Sequence, residues 1–314
     1  MDISVVVPTF NRRELVTRTL RTLFAQRVET ASYEVIVVVD GSIDGTAAAL
    51  RSLKSSCPFR VIEQENRGLA AARNTGFRAA AANLVLFLDD DMLCDPGLVH
   101  AHLAAHVGNA RGVAFGAIFL SDDSPQSLAA ECFKREIGAT YLAKQRNPDS
   151  IWRDSHCVFG NASLSRELLD ESGGFDEAFR MREDFELGTR LWRAGARRLY
   201  AGNAIAYQYY AKTSADLIKN AEEFAVADVM FAHKHPDVQG HLDWGTGGAG
   251  WKRNLRRIAA TWPKATDFVL APLCFLGTTF LNVELFRNLG IRALQLRRGI
   301  HWLNEVQELQ KRRP

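Results

Sequence analysis

The chain has 314 residues, 47% of them hydrophobic and 24% charged, and 39 Lys and Arg against 36 Asp and Glu give a net charge of +3. These values exclude a disordered chain, a collagen and a disulfide mini-protein. They leave a globular chain long enough to bury roughly 75% of its unfolded surface, in one large α/β domain or about two domains.

The first hundred residues alternate strand and helix signals. Ile3 to Pro8 reads as a buried strand ended by proline. Asn11 is placed to cap a helix through about Gln26, with Leu15, Leu20, Leu23 and Phe24 near helical spacing. Glu34 to Val39 is a second apolar strand, closed by the turn Asp40-Gly41-Ser42, and Asp44-Gly45-Thr46 opens a helix to about Leu53. Arg60-Val61-Ile62 is a third strand, Leu69 to Ala81 an alanine-rich helix, and Leu84 to Leu88 a fourth strand ending in Asp89-Asp90-Asp91. Continuous apolar strands with helical crossovers specify a mostly parallel sheet covered on both faces. Ligands bind beyond the carboxyl ends of such strands, so Asp40 and the three aspartates are expected to face one cleft.

From 113 to 210 the pattern is mixed. Val113–Leu120 and Ala204–Tyr210 read as strands, and Ser127–Tyr141 and Phe185–Ala194 as helices. Gly245 to Gly250 reads as a hinge. Beyond it the charge changes: residues 251–314 carry +8, against −5 for residues 1–250. Trp251, Leu255, Ile258 and Trp262 share one helical face, with Lys252, Arg253, Arg256 and Arg257 opposite, a pattern that suits an anionic membrane surface. The alternative is a helix packed on the rest of the chain with solvated charges. Phe268–Leu281, interrupted by Pro272 and Gly277, reads as a buried or interfacial segment, and a last helix runs over about 292–312.

Cys57, Cys94, Cys132, Cys157 and Cys274 are odd in number and lack zinc-ligand spacing, which favours free thiols in a reducing compartment. The first residues show no signal-peptide pattern, and no run reaches the ~18–20 apolar residues of a membrane span.

Four short motifs carry chemistry. Three clustered carboxylates at Asp89-Asp90-Asp91 repel one another, and a hard divalent cation offsets that cost; a solvated acidic turn is the alternative. Asp40-Gly41-Ser42 can accept hydrogen bonds from a base or ribose, or be a plain Asp-Gly turn. Arg73, in the small-residue stretch 68–76, offers a donor fork to a base or phosphate, or is a surface Arg on a packing helix. Glu183-Asp184 can supply a general base, or simply cap a helix.

Taken in order and spacing, Val5-Val6-Val7-Pro8-Thr9-Phe10-Asn11-Arg12, Val39 to Thr46, Asn66 to Gly76, Phe87 to Asp91, and Gly173-Gly174-Phe175-Asp176-Glu177 followed by Glu183-Asp184 make the chain resemble the family-two glycosyltransferases over about residues 2–235. The resemblance implies a GT-A fold, α/β and Rossmann-like, with a helical C-terminal extension. It implies a catalytic domain over 1–240, with a nucleotide-binding half about 1–110 and an acceptor-binding half about 111–240, followed by a basic helical region at 251–314. It places Pro8, Thr9, Asn11, Asp40, Arg73, Asp89, Asp90 and Asn161 around a nucleotide sugar. It makes Asp184, next to Glu183, the base of an inverting transfer to an acceptor hydroxyl. It gives Asp91 and Asp89 to a Mg²⁺ or Mn²⁺ ion. Two departures stand out: Val39 replaces the first of two acids often found before Gly-Ser, and Gln208 falls where related enzymes often carry a metal-site His, so that either Gln208 is the third metal ligand through its oxygen or the site lacks that contact.

The partners expected are a nucleotide-diphospho-sugar donor and a lipid-linked, saccharide or small-molecule acceptor. The 251–286 region is the expected site of peripheral membrane contact, the last helix is a candidate for homodimer formation, and nucleic acid is excluded for want of a motif. The expected location is the cytoplasm, including the inner face of the membrane. Two other readings stay open: a sugar-phosphate nucleotidyltransferase, against which Pro8-Thr9-Phe10-Asn11 argues because a glycine- and arginine-rich loop is usual there, and a catalytically silent sugar-nucleotide-binding scaffold.

Overall fold

The computed structural model describes residues 1–28, 31–147, 158–238 and 261–311. The hinge at 245–250, the amphipathic stretch 251–260 and Cys157 lie outside the described residues. The chain divides into two units: Met1–Ser124 with Lys134–Tyr210, and Pro125–Phe133 with Ala211–Pro314.

The first unit is built on an eight-stranded sheet. Its strands are β1 (Ile3–Thr9), β2 (Tyr33–Asp40), β3 (Phe59–Gln64), β4 (Leu84–Leu88), β5 (Met92–Cys94), β6 (Gly112–Leu120), β7 (Asn161–Ser165) and β8 (Arg197–Gln208). Their order is β3-β2-β1-β4-β7-β6-β8-β5. The first four are parallel, with Val5 opposite both Val35 and Leu86. β7 runs antiparallel between β4 and β6, and β6 pairs parallel with β8. The unbroken apolar runs of β1, β2 and β4 are buried on both faces, as parallel strands under helices must be. Phe87, Phe159 and Phe175 meet edge-on, with centroids 5.1–6.2 Å apart, in the core beneath the strand ends.

The covering helices are α1 (Arg13–Phe24), α2 (Thr46–Arg51), α3 (Leu69–Ala79), α4 (Leu98–Ala105), α6 (Ala139–Arg146), α7 (Arg166–Ser172) and α8 (Glu183–Arg193). The small residues of α3 let it lie close on the sheet: a Cβ at Gly76 would run into the Val6 side chain.

Several expectations are corrected. β1 continues through Pro8 to Thr9, because β4 flanks it only as far as Val6 and proline is tolerated where a ladder has ended. α1 starts at Arg13, and Asn11 does not cap it. The helix expected over Ser127–Tyr141 is broken into α5 (Leu128–Phe133), a π-helical turn (Lys134–Gly138) and α6. β8 starts at Arg197 rather than Ala204.

The second unit holds α5, α9 (Ser214–Lys234), α10 (Pro263–Thr279) and α11 (Glu284–Lys311). A capping box between Thr213 and Asp216 starts α9. Its Ala221, Ala225 and Val229 pack on Trp302 and Val306 of α11, which draws α9 into this unit although the sequence expectation put it in the first domain. α10 and α11 form a hairpin: a Cβ at Gly277 would lie 2.6 Å from the Gly290 Cα, so glycine at both positions permits the crossing. Asp267 of α10 accepts from Arg297 at 2.7 and 3.1 Å. Among the described residues no helix is long and apolar enough to cross a membrane.

Candidate functional site

The carboxyl ends of β1, β2, β3 and β4 fall at Thr9, Asp40, Gln64 and Leu88, and polar side chains concentrate there against an apolar floor. Two adjacent residues of α3 fix most of them. Arg73, only 2% exposed, donates to Asp89 at 2.9 Å and to Glu183 at 2.7 Å, and lies over the Phe175 ring. Asn74 donates to the Phe175 carbonyl at 2.8 Å and to Glu177 at 3.0 Å, and accepts from the Phe175 amide at 2.9 Å. One turn of helix therefore ties the Asp89 loop to the glycine turn at 173–174 and to the start of α8.

A second cation sits on the other side of the aspartates. Arg12 donates to Asp90 at 2.9 Å and to Asp91 at 3.3 Å. Thr9 donates to the other Asp90 oxygen at 2.7 Å, and Thr19 to its carbonyl. Asp90 is thus turned inward as an anchor, which leaves Asp89 and Asp91 as the outer members of the triple. Gln208 closes the group, its amide nitrogen 3.1 and 3.2 Å from the two Asp91 oxygens.

The electrostatics follow from burying negative charge. Burial, then Asp89 and Asp90, push the Asp91 carboxyl up to about 7 against the opposing pull of Arg12 and Gln208. Burial also raises Asp90. Burial alone would lower Arg73, but Asp89, Glu183 and Asp184 hold it above its ordinary value, and Asp90 and Asp91 do the same for Arg12. At α8 the two acids differ. Glu183 is buried and ion-paired with Arg73, whereas Asp184 is half-buried with one oxygen on the Phe185 amide. Burial raises both, with Arg73 pulling the other way.

The Asp40 loop lies beside this group. Asp40 accepts from the Arg67 and Gly68 amides at 2.9 and 2.8 Å and from Gln64 at 2.7 Å, so its carboxylate shapes the entry to α3. Asn11 adopts a positive φ of 51° and staples the neighbouring loop, its amide on the Ser42 hydroxyl and its side-chain oxygen on the Ile43 amide.

Asn161 requires a correction. The family resemblance placed it at the nucleotide sugar, but it has no exposed surface. Its side-chain nitrogen donates to the Ala204 carbonyl at 2.9 Å and to that of Ala117, and its oxygen meets the His102 ring at 2.9 Å. The register of β6 against β8 slips between Gly116 and Ala117, and Asn161 fills that irregularity. Buried peptide groups freed by the slip need partners, and an amide supplies them. Gln208 is brought to the aspartates, with its amide nitrogen against the Asp91 carboxylate. Arg12, Asn74 and Glu177 were missed. Asn74 and Glu177 lie inside motifs that were read but were given no role there, and their spacing in sequence gives no sign that they meet.

A divalent cation fits this chemistry in one particular way. Among the described residues no three His, Cys, Asp or Glu form a ready ligand set. Asp91 is nevertheless a buried carboxylate held beside two others, which a cation would relieve. One or two carboxylates plus phosphate oxygens is how magnesium is usually held.

Validoxylamine A glucosyltransferase of Streptomyces hygroscopicus subsp. jinggangensis is 31% identical over 278 residues, covering 79% of this chain and 64% of its own. The chain thus spans about three-fifths of the length of the curated relatives matched first. A mannosyltransferase of Pyrobaculum calidifontis, solved with GDP-Man and Mn²⁺, superposes with a TM-score of 0.63 at 17% identity, covering 99% of this chain and 88% of its own. TarS 1-349 of S. aureus, solved with UDP-GlcNAc, gives 0.56 at 17% identity over 99% and 92%. These two likenesses establish the GT-A fold. The Glycosyl transferase family 2 model matches residues 4–173, more than half of the sequence, and the chain belongs to that family.

Proposed function

We propose that the protein transfers a sugar from a nucleotide-diphospho-sugar to an acceptor hydroxyl, with inversion. The observation that carries the reading is the pair at the start of α8. Arg73 holds Glu183 and Asp89 together, while Asp184 beside them is only half-buried, and burial raises its affinity for protons. A general base needs reach and a pKa moved toward neutrality. Asp184 would take the proton from the acceptor O–H as that oxygen bonds to the anomeric carbon, and the bond from that carbon to the diphosphate oxygen would break, releasing a nucleoside diphosphate. Displacement from the face opposite the leaving group inverts the centre.

Thr9, Asp40 and Arg73 are the proposed nucleotide side of the cleft, with Pro8 and Asn11 shaping it. Asp91, with Asp89, would hold Mg²⁺ or Mn²⁺, and rotation of the Gln208 amide would add an oxygen. When bound, the cation supplies charge neutralisation at the diphosphate leaving group. The GDP-Man and UDP-GlcNAc held by the two solved structures of like fold support a sugar nucleotide as the substrate class. The acceptor is proposed as a hydroxyl compound, lipid-linked, saccharide or small molecule. The +8 charge of residues 251–314 supports a peripheral station at the inner face of a membrane.

The test is release of nucleoside diphosphate from UDP-, GDP- and dTDP-sugars, with and without Mn²⁺ and across an acceptor panel, for the wild type and Asp184→Asn. Loss of a general base is expected to lower kcat by about 10²–10⁴ while donor binding measured by calorimetry changes little. An Asp184→Asn enzyme of undiminished kcat would remove the base from this residue. Release of pyrophosphate from a nucleoside triphosphate would replace the transferase reading with a nucleotidyltransferase.

A further inference from the structure

Eight of the sixteen large hydrophobic side chains exposed among the described residues fall between Trp262 and Leu289. That segment is α10, the turn after it and the first turns of α11. On α10, Phe268, Pro272 and Phe275 follow one another at helical spacing, and all three are exposed. Phe268 is 81% and Phe275 69% exposed, values expected for lysines rather than phenylalanines. The stripe continues over the turn through Phe280 and Val283 to Leu285 and Leu289. Phe268–Leu281 was expected to be buried or interfacial. The face of α10 away from α11 is not buried.

The charges around the stripe are one-sided. Between 262 and 289 the acids are Asp267 and Glu284, and Asp267 is consumed by Arg297 and His301. Lys264 at the start of α10 and Arg292 on α11 are exposed and in no ion pair among the described residues. Arg292 lies seven residues beyond Leu285 in the sequence. It therefore stands about 10 Å along the helix axis from Leu285, and Lys264 lies one turn before Phe268, so cations flank both ends of the stripe. Interfacial helices bury their apolar face about 5–10 Å into the boundary between headgroups and acyl chains, with cations at the phosphates.

We propose that the α10–α11 hairpin docks on an anionic phospholipid bilayer, with Phe268, Phe275, Phe280 and Leu285 at the acyl boundary and Lys264 and Arg292 at the lipid phosphates. The inference gives a surface to the peripheral station proposed above. Charge selects lipid over a second copy of the chain. Two such faces apposed would meet apolar to apolar but would set unpaired cations near one another, whereas an anionic bilayer supplies the missing negative charge. The apolar length is too short and too broken by Pro272 for a span, so the contact is interfacial.

The test is flotation of the full chain with vesicles of phosphatidylcholine, alone or mixed with phosphatidylglycerol, in the absence of any sugar nucleotide. The wild type is expected to float with the mixed vesicles only. Phe268→Ser/Phe275→Ser is expected to lower the partition coefficient at least about tenfold, because each phenylalanine withdrawn from the interface forfeits its burial. Its melting temperature and nucleotide binding are expected to be unchanged, which shows that the fold is intact. Lys264→Gln/Arg292→Gln is expected to lower partition into the mixed vesicles. A wild type that stays with the buffer, or a double-phenylalanine variant that floats equally well, overturns the proposal. So does light scattering that shows a wild-type dimer dissociated by the variant with no flotation of either. Flotation without any transfer would sink the transferase reading and leave the docking surface standing; transfer without flotation would do the reverse.

Discussion

The carboxyl ends of the first unit's strands and the α10–α11 hairpin depart from the burial rule in opposite directions. At the strand ends polar groups are buried: Thr9, Asp40, Arg73, Asp90, Asp91 and Glu183 are each less than a tenth exposed. On the hairpin, apolar groups are exposed. In the first case every buried charge has been given partners, because an uncompensated one costs several kcal/mol. In the second the phenylalanines have no protein partner among the described residues on their outer side. The lesson is that the same rule, broken with the charges partnered, marks a site held in place before a ligand arrives. Broken without compensation, it marks a surface that something else must complete.

The largest expected effect tests the compensation. Arg73→Met keeps the volume and removes the cation shared by Asp89 and Glu183. Breaking such a buried pair costs about 3–5 kcal/mol. Denaturant titration at pH 8 should show that loss, and at pH 5 the loss should shrink, because Glu183, whose carboxyl burial has already raised, then takes up a proton. A variant as stable as the wild type at pH 8 would mean that the carboxylates are not held by Arg73.

The second prediction sharpens the electrostatic half. Asp91 has its carboxyl raised from 3.8 to about 7 in the folded, metal-free protein. The folded state therefore binds a proton that the unfolded state has released. The stability this contributes is fully present below pH 3.8 and is lost as pH rises through about 7. Unfolding followed between pH 5 and 8 without divalent metal should show stability falling with pH. Asp91→Asn should flatten that slope, and an unchanged slope would assign the titration elsewhere.

A smaller effect concerns the cation already on the aspartates. Arg12 occupies an Asp91 oxygen that a metal would use. Its half-exposed contact is worth about 1 kcal/mol after solvent screening. Arg12→Ala should therefore tighten Mn²⁺ binding roughly fivefold by calorimetry in the absence of nucleotide. Weaker binding would show that Arg12 organises the site rather than competing for it. The smallest effect lies on the hairpin. Phe268→Ser/Phe275→Ser should move the unfolding free energy by less than about 0.5 kcal/mol, as substitutions on a free surface do. A loss several times larger would show that the face is covered within the protein, and the comparison with the strand ends would fail.

Much of the first unit was legible from the chain. Apolar runs of five or six residues marked β1, β2 and β4, the short Arg60-Val61-Ile62 marked β3, and the polar residues after the runs of β2 and β4 marked the ligand end of the sheet. The aspartate triple, Arg73 and Glu183-Asp184 were found by residue type and position, and the structure brings them into one group. β7 was not legible, because Asn161-Ala162-Ser163-Leu164-Ser165 has almost no strand composition; it is a strand because β4 and β6 need a partner between them. The same holds for the role of Asn161, which was read as a ligand contact and is instead a brace for the irregular β6–β8 pairing. Gln208 was found by its position in the chain, and its contact with Asp91 comes from the tertiary structure. The breadth of the apolar face on α10 was equally hidden, since the sequence cannot tell a buried Phe268 from an exposed one.

By itself the sequence determined what short-range physics controls: which runs become strands and helices, where the carboxylates cluster, and that residues 251–314 are basic. Tertiary structure decided which carboxylate stays accessible. Glu183 and Asp184 are neighbours of nearly the same chemistry, and only the placement of Arg73, 110 residues earlier in the sequence than Glu183, ties up one and leaves the other. It also decided which apolar residues face outward, because the Gly277–Gly290 crossing fixes the side of α10 that meets α11. The reason is the same in both cases. A side chain's type sets what it can do, but burial and partners set its charge and reach, and these come from residues far away along the chain.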